Sequence, residues 1–175
     1  MPDVQSDLAF MMYRITNTAR ETIANTAQQS RDGLETGGIL LGTEHSGDVL
    51  ITSAGTPGPK ARRASHSFRR DLDHANQLAT LAWQADGSQW IGEWHTHPSQ
   101  DLTPSELDLS SYLRHVYDPE LRFDRFIAII VGLTSQQAVR LRTWIVTRAH
   151  VFPASLLVHE ADRAEPRRHQ PDSSE

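Results

Sequence analysis

The chain has 175 residues, no cysteine and a formal net charge of −5 at pH 7. That length suits one domain with a single sizeable core, and it excludes a two-domain enzyme or an eight-stranded α/β barrel, which needs about 250 residues. The lack of cysteine rules out disulfide scaffolds, thiol nucleophiles, thiolate zinc fingers, iron–sulfur clusters and Cys-rich deaminase sites, leaving histidines, carboxylates, hydroxyls or a metal held by nitrogen and oxygen.

A slightly acidic chain has no bulk attraction to nucleic acid or to an anionic membrane, so neither is expected as a partner. The longest apolar run, Phe126 to Val131 followed by Gly132 and Leu133, falls far short of the roughly 20 residues of a membrane helix. Asp3 and Asp7 sit where a secretory signal would carry basic residues, and the expectation is a soluble, cytoplasmic protein.

In chain order, Leu8 to Ile15 has strand length and is mostly apolar. Thr18 and Glu21 match a capping box, Ala19, Ile23 and Ala27 recur at four-residue spacing, and Gly33 follows; together they predict a helix over Asn17–Arg31. Gly38 to Gly42 and Val49 to Ser53 read as two strands joined by a turn at Ser46-Gly47. Pro57, Gly58 and Pro59 make Gly55 to Arg63 an irregular loop. Leu72, Ala75, Leu78, Ala79 and Ala82 form one apolar stripe, predicting a helix from Asp71 to Ala85 that Gly87 ends. Trp90 to His97 and Phe126 to Val131 read as strands, the second fully buried, and Val139, Leu141 and Ile145 alternate with Arg140, Arg142 and Trp144 in a third. Between the first two, Thr103 is read as an N-cap, Pro104 as the first helical residue and Glu106 as the partner that closes a second capping box. Glu160 to Glu175 contains no apolar residue but alanine and reads as a disordered tail, leaving one domain over residues 1–159. The pattern is α/β, a single domain with a mixed central sheet flanked by helices.

The chemically informative segment runs from Glu93 to Asp108, EWHTHPSQDLTPSELD. Alternation along a strand projects His95 and His97 from one side, where two imidazoles can share a zinc ion. Ser105 and Asp108 are three apart on the following helix and share a face. If the loop Pro98–Leu102 turns that face towards the histidines, Asp108 becomes a third ligand, and the fourth tetrahedral position is left for water, as in catalytic zinc sites. Hydrolysis also needs an unbound carboxylate to move the water's proton. Glu35, Glu93 and Glu106 are the candidates, and spacing does not choose among them.

Each residue also has an ordinary reading. Lone strand histidines, a solvated helix aspartate, a first-turn serine and a loop glutamate need no function, but those readings leave the joint spacing unexplained. The Asp-His continuation of a metallo-β-lactamase-like site is missing, since Pro98-Ser99-Gln100 follows His97. A cupin would place a Glu closer than Glu106. Trp83, Trp90, Trp94 and Trp144 read as core or strand-face packing. Lys60, Arg62, Arg63, Arg69 and Arg70 read as a solvated loop and strand end, with docking of an acidic partner as the less favoured alternative.

The string His95-x-His97-Pro98, seven residues, Ser105-x-x-Asp108, with Glu35 upstream leading into Gly-Gly-Ile-Leu-Leu-Gly, resembles the JAMM (Jab/MPN) metalloprotease motif, in particular its prokaryotic JAB branch. The resemblance implies a cytidine-deaminase-like JAB/MPN fold. It implies one Zn2+ on His95, His97 and Asp108, Glu35 as general acid/base, and Ser105 helping to stabilise the carbonyl oxyanion. It also implies a zinc peptidase or isopeptidase that cuts after the C-terminus of a ubiquitin-like protein, working beside ubiquitin-activating-like and conjugating-like enzymes, in some cases in antiviral operons. A processing peptidase for Gly-Gly-tailed sulfur carriers and a non-catalytic MPN scaffold are the alternatives.

Overall fold

The computed structural model describes residues 11–160 except Gln137. The expected start of the first strand at residues 8–10 and the expected tail at 161–175 lie outside the described residues.

The elements are β1 (Tyr13–Thr16), α1 (Asn17–Gln29), β2 (Gly37–His45), β3 (Asp48–Ala54), β4 (Arg62–Ala64), β5 (Ser67–Arg69), α2 (Leu72–Asp86), β6 (Gln89–Thr96), α3 (Glu106–Tyr117), β7 (Phe126–Leu133), β8 (Val139–Val146), β9 (Val151–Ala154) and β10 (Leu156–His159). An eight-stranded mixed sheet has the order β10-β1-β3-β2-β6-β7-β8-β9, and β4 and β5 pair separately as a short hairpin. β1 is parallel to both neighbours and β6 is parallel to β7; β2 is antiparallel to β3 and to β6.

The helices follow from where the apolar residues fall. Ala19, Ile23 and Ala27 form the buried stripe of α1, which packs on one sheet face with Ile15, Leu40, Ile51, Trp94, Ile127 and Ile129. On the opposite face Tyr112 and Val116 of α3 cover Phe126, Ala128 and Val146, and Ala75 of α2 covers Ile39 and Leu41. Helices on both faces explain why β7 is an unbroken apolar run: odd and even residues both enter a core. Burial of these side chains, at about 25 cal/mol per Å2 of apolar surface, is the main stabilising term.

Several expectations need correcting. The N-cap of α1 is Thr16, not Thr18: Thr16 Oγ1 accepts from the Ala19 amide at 3.2 Å. β1 runs straight into the helix, so the last extended residue takes the cap and Thr18 is already helical, its carbonyl accepting from Thr22 Oγ1. Leu72, at 64% exposed, and Trp83, at 59%, stand outside the core that the α2 stripe and the tryptophan reading placed them in. The end of the expected loop continues into the β4–β5 hairpin, whose three-residue strands carry too little apolar alternation to be seen. β9 holds Pro153 on the sheet edge, where a missing N–H costs no ladder bond. Among the described residues no helix is long and apolar enough to cross a membrane.

The close approach of β6 and β7 depends on Gly92, where a Cβ would lie 1.9 Å from the Ile127 carbonyl oxygen. Gly92→Ala is expected to force the strands apart and cost about 1–3 kcal/mol or more. Thermal denaturation should show this as a fall in Tm of several degrees, at about 2–4 °C per kcal/mol for a chain of this size.

Candidate metal centre

The site forms where the ends of β2 and β6 meet the start of α3. His95 lies near the end of β6 and pairs in register with Gly37 of β2 on one side and Ile130 of β7 on the other. His97 follows the strand, its amide donating to the Val131 carbonyl at 2.8 Å. Both side chains are buried, at 3% and 8% exposed.

The third element arrives by a cap that differs from the expected one. Ser105, not Thr103, is the N-cap, Glu106 rather than Pro104 is the first helical residue, and Asp108 closes the box in place of Glu106. Two such patterns overlap in this stretch. Ser105 is the residue with extended backbone angles, φ −71° and ψ 167°, so its hydroxyl can accept from the Asp108 amide at 3.2 Å while the Asp108 carboxylate accepts from the Ser105 amide at 2.7 Å. The Ser105 hydroxyl also donates to Asp108 Oδ2 at 2.7 Å. The capping box thus fixes the carboxylate that faces the histidines.

His95 Nε2 and His97 Nε2 lie 3.0 Å apart, and each is 3.3 Å from an Asp108 oxygen. Among the described residues these three form the group whose ligand atoms lie close enough together that they could hold a metal ion. A tetrahedral ion with ligands at about 2.0–2.1 Å has donor edges of about 3.3–3.4 Å, close to the separations here. The donor set is two imidazole nitrogens and a carboxylate oxygen, suited to a borderline divalent cation.

Two supporting contacts were not visible in the residue spacing. His97 Nδ1 lies 2.6 Å from the Asp101 carbonyl; donating its proton there leaves Nε2 with a free lone pair facing the group. His95 Nδ1 has the Tyr112 hydroxyl at 3.5 Å. Tyr112 is four residues beyond Asp108, hence on the same helix face, and that spacing is the signal that could have found it. Burial and the nearby carboxylates of Glu93, Asp108 and Glu35 push its phenol up, so it keeps its proton.

Electrostatics separates the three carboxylates left open by the sequence. Glu35 is buried, at 7% exposed. That burial pushes its carboxyl above the usual range, while His95 and His97 nearby pull it partly back. Glu93 is held by Arg70 at 2.7 Å, and Arg70 stacks over Trp90. Glu106 is exposed in the first turn of α3. Burial opposes the charge of Asp108, but the bonds from His95, His97 and Ser105 outweigh it and hold the carboxyl well below the ordinary range. Burial likewise opposes charge on His97, yet the Asp108 carboxylate and the Asp101 carbonyl raise its pKa.

The basic stretch is only partly solvated. Arg63 is engaged by Asp32 and by the backbone around Glu35, Arg70 by Glu93, and Lys60 by Asp73 at 2.8 Å on the surface. Arg62 and Arg69 are exposed.

Residues 17–146 match the family described as prokaryotic homologs of the JAB domain. A protein named CD-NTase/cGAS isopeptidase from Pseudomonas aeruginosa is 32% identical over 105 residues, covering 59% of this chain and 66% of that protein. One of the same name from Escherichia coli is 31% identical, covering 56% and 62%. The matched stretch therefore spans just under two thirds of the length of these relatives. A probable metalloprotease from Sinorhizobium fredii is 30% identical over 121 residues, covering 67% of this chain and 73% of that one. A solution structure of a protein from Desulfitobacterium hafniense superposes with a TM-score of 0.64 at 19% identity, covering 85% of this chain and 94% of that one, a likeness of fold alone. With the helices α1 to α3, the β2–β6–β7 centre of the sheet and the histidine–aspartate group all inside the matched residues, the chain belongs to the prokaryotic homologs of the JAB domain.

Proposed function

We propose that this chain is a zinc-dependent peptidase that hydrolyses the isopeptide or peptide bond after the C-terminus of a ubiquitin-like protein, by deconjugation or by precursor processing. The observation that carries the reading is the convergence of His95 Nε2, His97 Nε2 and the Asp108 carboxylate within 3.0–3.3 Å. A buried carboxylate, Glu35, stands beside them. The isopeptidase and metalloprotease names of the relatives support amide hydrolysis, and the CD-NTase/cGAS wording favours a protein conjugate as substrate. A cytoplasmic place beside ubiquitin-activating-like and conjugating-like enzymes, in an antiviral setting, accords with that substrate. A purely scaffolding role would leave the complete donor set and the buried carboxylate unexplained.

A zinc ion held by His95, His97 and Asp108 would supply Lewis acidity, of the kind that lowers the pKa of water to roughly 7 and polarises a carbonyl. Glu35 accepts the proton of the attacking water as the new C–O bond forms, and returns it to the amine as the C–N bond breaks. Burial raises its pKa, which makes the carboxyl a readier proton acceptor than an exposed glutamate. In this reading Ser105 donates its hydroxyl to the carbonyl oxygen. To do so it turns from Asp108 Oδ2, which keeps the Ser105 backbone amide as a donor.

Glu35→Gln is expected to retain zinc by elemental analysis and to lose about 10²–10⁴-fold in turnover of a peptide joined through a Gly-Gly-lysine isopeptide bond. Near-normal turnover would remove Glu35 from the role of base. His95→Ala and Asp108→Ala should each lower bound zinc, and an undiminished metal content would overturn the ligand set. Because the metal-free His97 ring holds its proton above the ordinary value of 6.5, zinc must displace that proton. Calorimetric titrations should therefore show affinity, with proton release, already falling at a pH above 6.5 and continuing to fall below it. An affinity flat across that range would argue against His97 as a ligand.

A further inference from the structure

The hairpin β4–β5 carries two arginines that leave the surface in opposite directions along the chain. Arg70, just after β5, pairs with Glu93, two residues before His95 on the same strand face. Arg63, in the middle of β4, reaches the segment that ends at Glu35. Its Nε donates to the Glu35 carbonyl at 3.0 Å. Its Nη1 and Nη2 each donate to an Asp32 carboxylate oxygen at 2.9 Å, and Nη2 also reaches the Leu34 carbonyl at 3.3 Å. β4 makes one more bond to the same place: the Glu35 amide donates to the Ala64 carbonyl at 2.8 Å.

Both backbone polar groups of Glu35 are thus held by β4. The next residue is held by β6, for the Thr36 amide donates to Thr96 Oγ1 at 2.9 Å and the Thr36 carbonyl accepts from the Thr96 amide at 2.8 Å. Upstream, the Leu34 amide donates to Asp32 Oδ1 at 3.2 Å, closing a short turn on the carboxylate that grips the guanidinium. Residues 32–35 are folded around one planar cation.

We infer that Arg63 is a positioning residue for Glu35: anchored by Asp32, its guanidinium fixes the Leu34 and Glu35 carbonyls and so sets where the Glu35 side chain stands against His95, His97 and Asp108. The inference rests on the proposed role of Glu35 as base. The chemistry requires a guanidinium. A planar fork can meet a carboxylate with two parallel bonds while a third N–H turns to a carbonyl, whereas an ammonium is a point donor that cannot span both partners.

Magnitudes separate this role from simple stabilisation. The Arg63 and Asp32 side chains are 24% and 49% exposed, and ion pairs that exposed contribute little to stability. A base displaced by about 1 Å, in contrast, can cost on the order of 10²-fold in rate. Loss of Arg63 should therefore impair turnover far more than folding.

The test compares Arg63→Ala, Arg63→Lys and Asp32→Ala with Arg62→Ala, which removes the same charge one residue away from an exposed position. On the Gly-Gly-lysine isopeptide peptide, both Arg63 variants are expected to lower kcat by about 10–10²-fold with KM and zinc content little changed. Asp32→Ala should follow in the same direction with a smaller loss, and Arg62→Ala should match the parent. Tm should stay within about 4 °C of the parent for all four. In the Glu35→Gln background, Arg63→Ala should cost nothing further, since a residue acting through Glu35 is non-additive with it. Independently of turnover, amide hydrogen exchange at Glu35 should quicken in both Arg63 variants and not in Arg62→Ala, with and without zinc. An Arg63→Ala protein with parental kcat and Glu35 exchange, or one whose kcat cost persists undiminished in the Glu35→Gln background, overturns the inference. Near-normal turnover by Glu35→Gln itself would bring down the base assignment beneath it, and is read from that variant alone.

Discussion

β2 and β6 run antiparallel in a register that sets Gly37 opposite His95 and brings Thr36 within bonding reach of Thr96. Everything chemical in the molecule hangs on that pairing. It places residue 35, just before one strand, beside the histidines at the end of the other, although β3, the β4–β5 hairpin and α2 separate the two strands in sequence. The approach is close enough that a Cβ on Gly37 would fall 2.2 Å from the Trp94 carbonyl oxygen. Glycine at the head of β2 is therefore part of the geometry of the site.

From that pairing the remaining parts follow by satisfying polar groups. A buried imidazole needs a partner on each nitrogen, and His97 finds the Asp101 carbonyl on one side and Asp108 on the other. A half-buried carboxylate also needs donors, and Asp108 takes them from the histidines and from its own helix cap. Glu35 is the member whose backbone N–H and C=O are both held by β4, while burial pushes the pKa of its carboxyl up and His95 and His97 only partly offset that. A group that is rigid at the main chain and reluctant to hold charge at the carboxyl is well suited to receive and return a proton. The lack of cysteine fits this arrangement, because the donor set needs no sulfur.

Much of this was legible in residue order. The alternation that puts His95 and His97 on one side is a property of any strand, and the stripes of α1 and α2 read out as helices within a few residues of their observed ends. Misreadings came where two local patterns competed. Thr18–Glu21 and Thr103–Glu106 both satisfy the capping pattern, yet Thr16 and Ser105 are the caps, because the chain was still extended at those residues. The short strands β4 and β5 escaped notice because half-buried Phe68 is their one large apolar side chain, and because β4 holds Glu35 and Leu34 through the Arg63 guanidinium rather than through an apolar stripe. Arg63 accordingly read as one of five solvated cations.

The sequence by itself determined the side-chain types of the candidate site, their spacing at the end of β6 and on α3, and the mixed α/β class, since periodicity, capping and composition act over a few residues at a time. Only the tertiary structure decided which of three glutamates stands buried beside His95, His97 and Asp108 and which arginines are bound. Those outcomes depend on contacts such as Thr36 to Thr96, 60 residues apart, and Arg70 to Glu93, 23 apart. Strand register and side-chain burial fix them, and no local pattern carries either one.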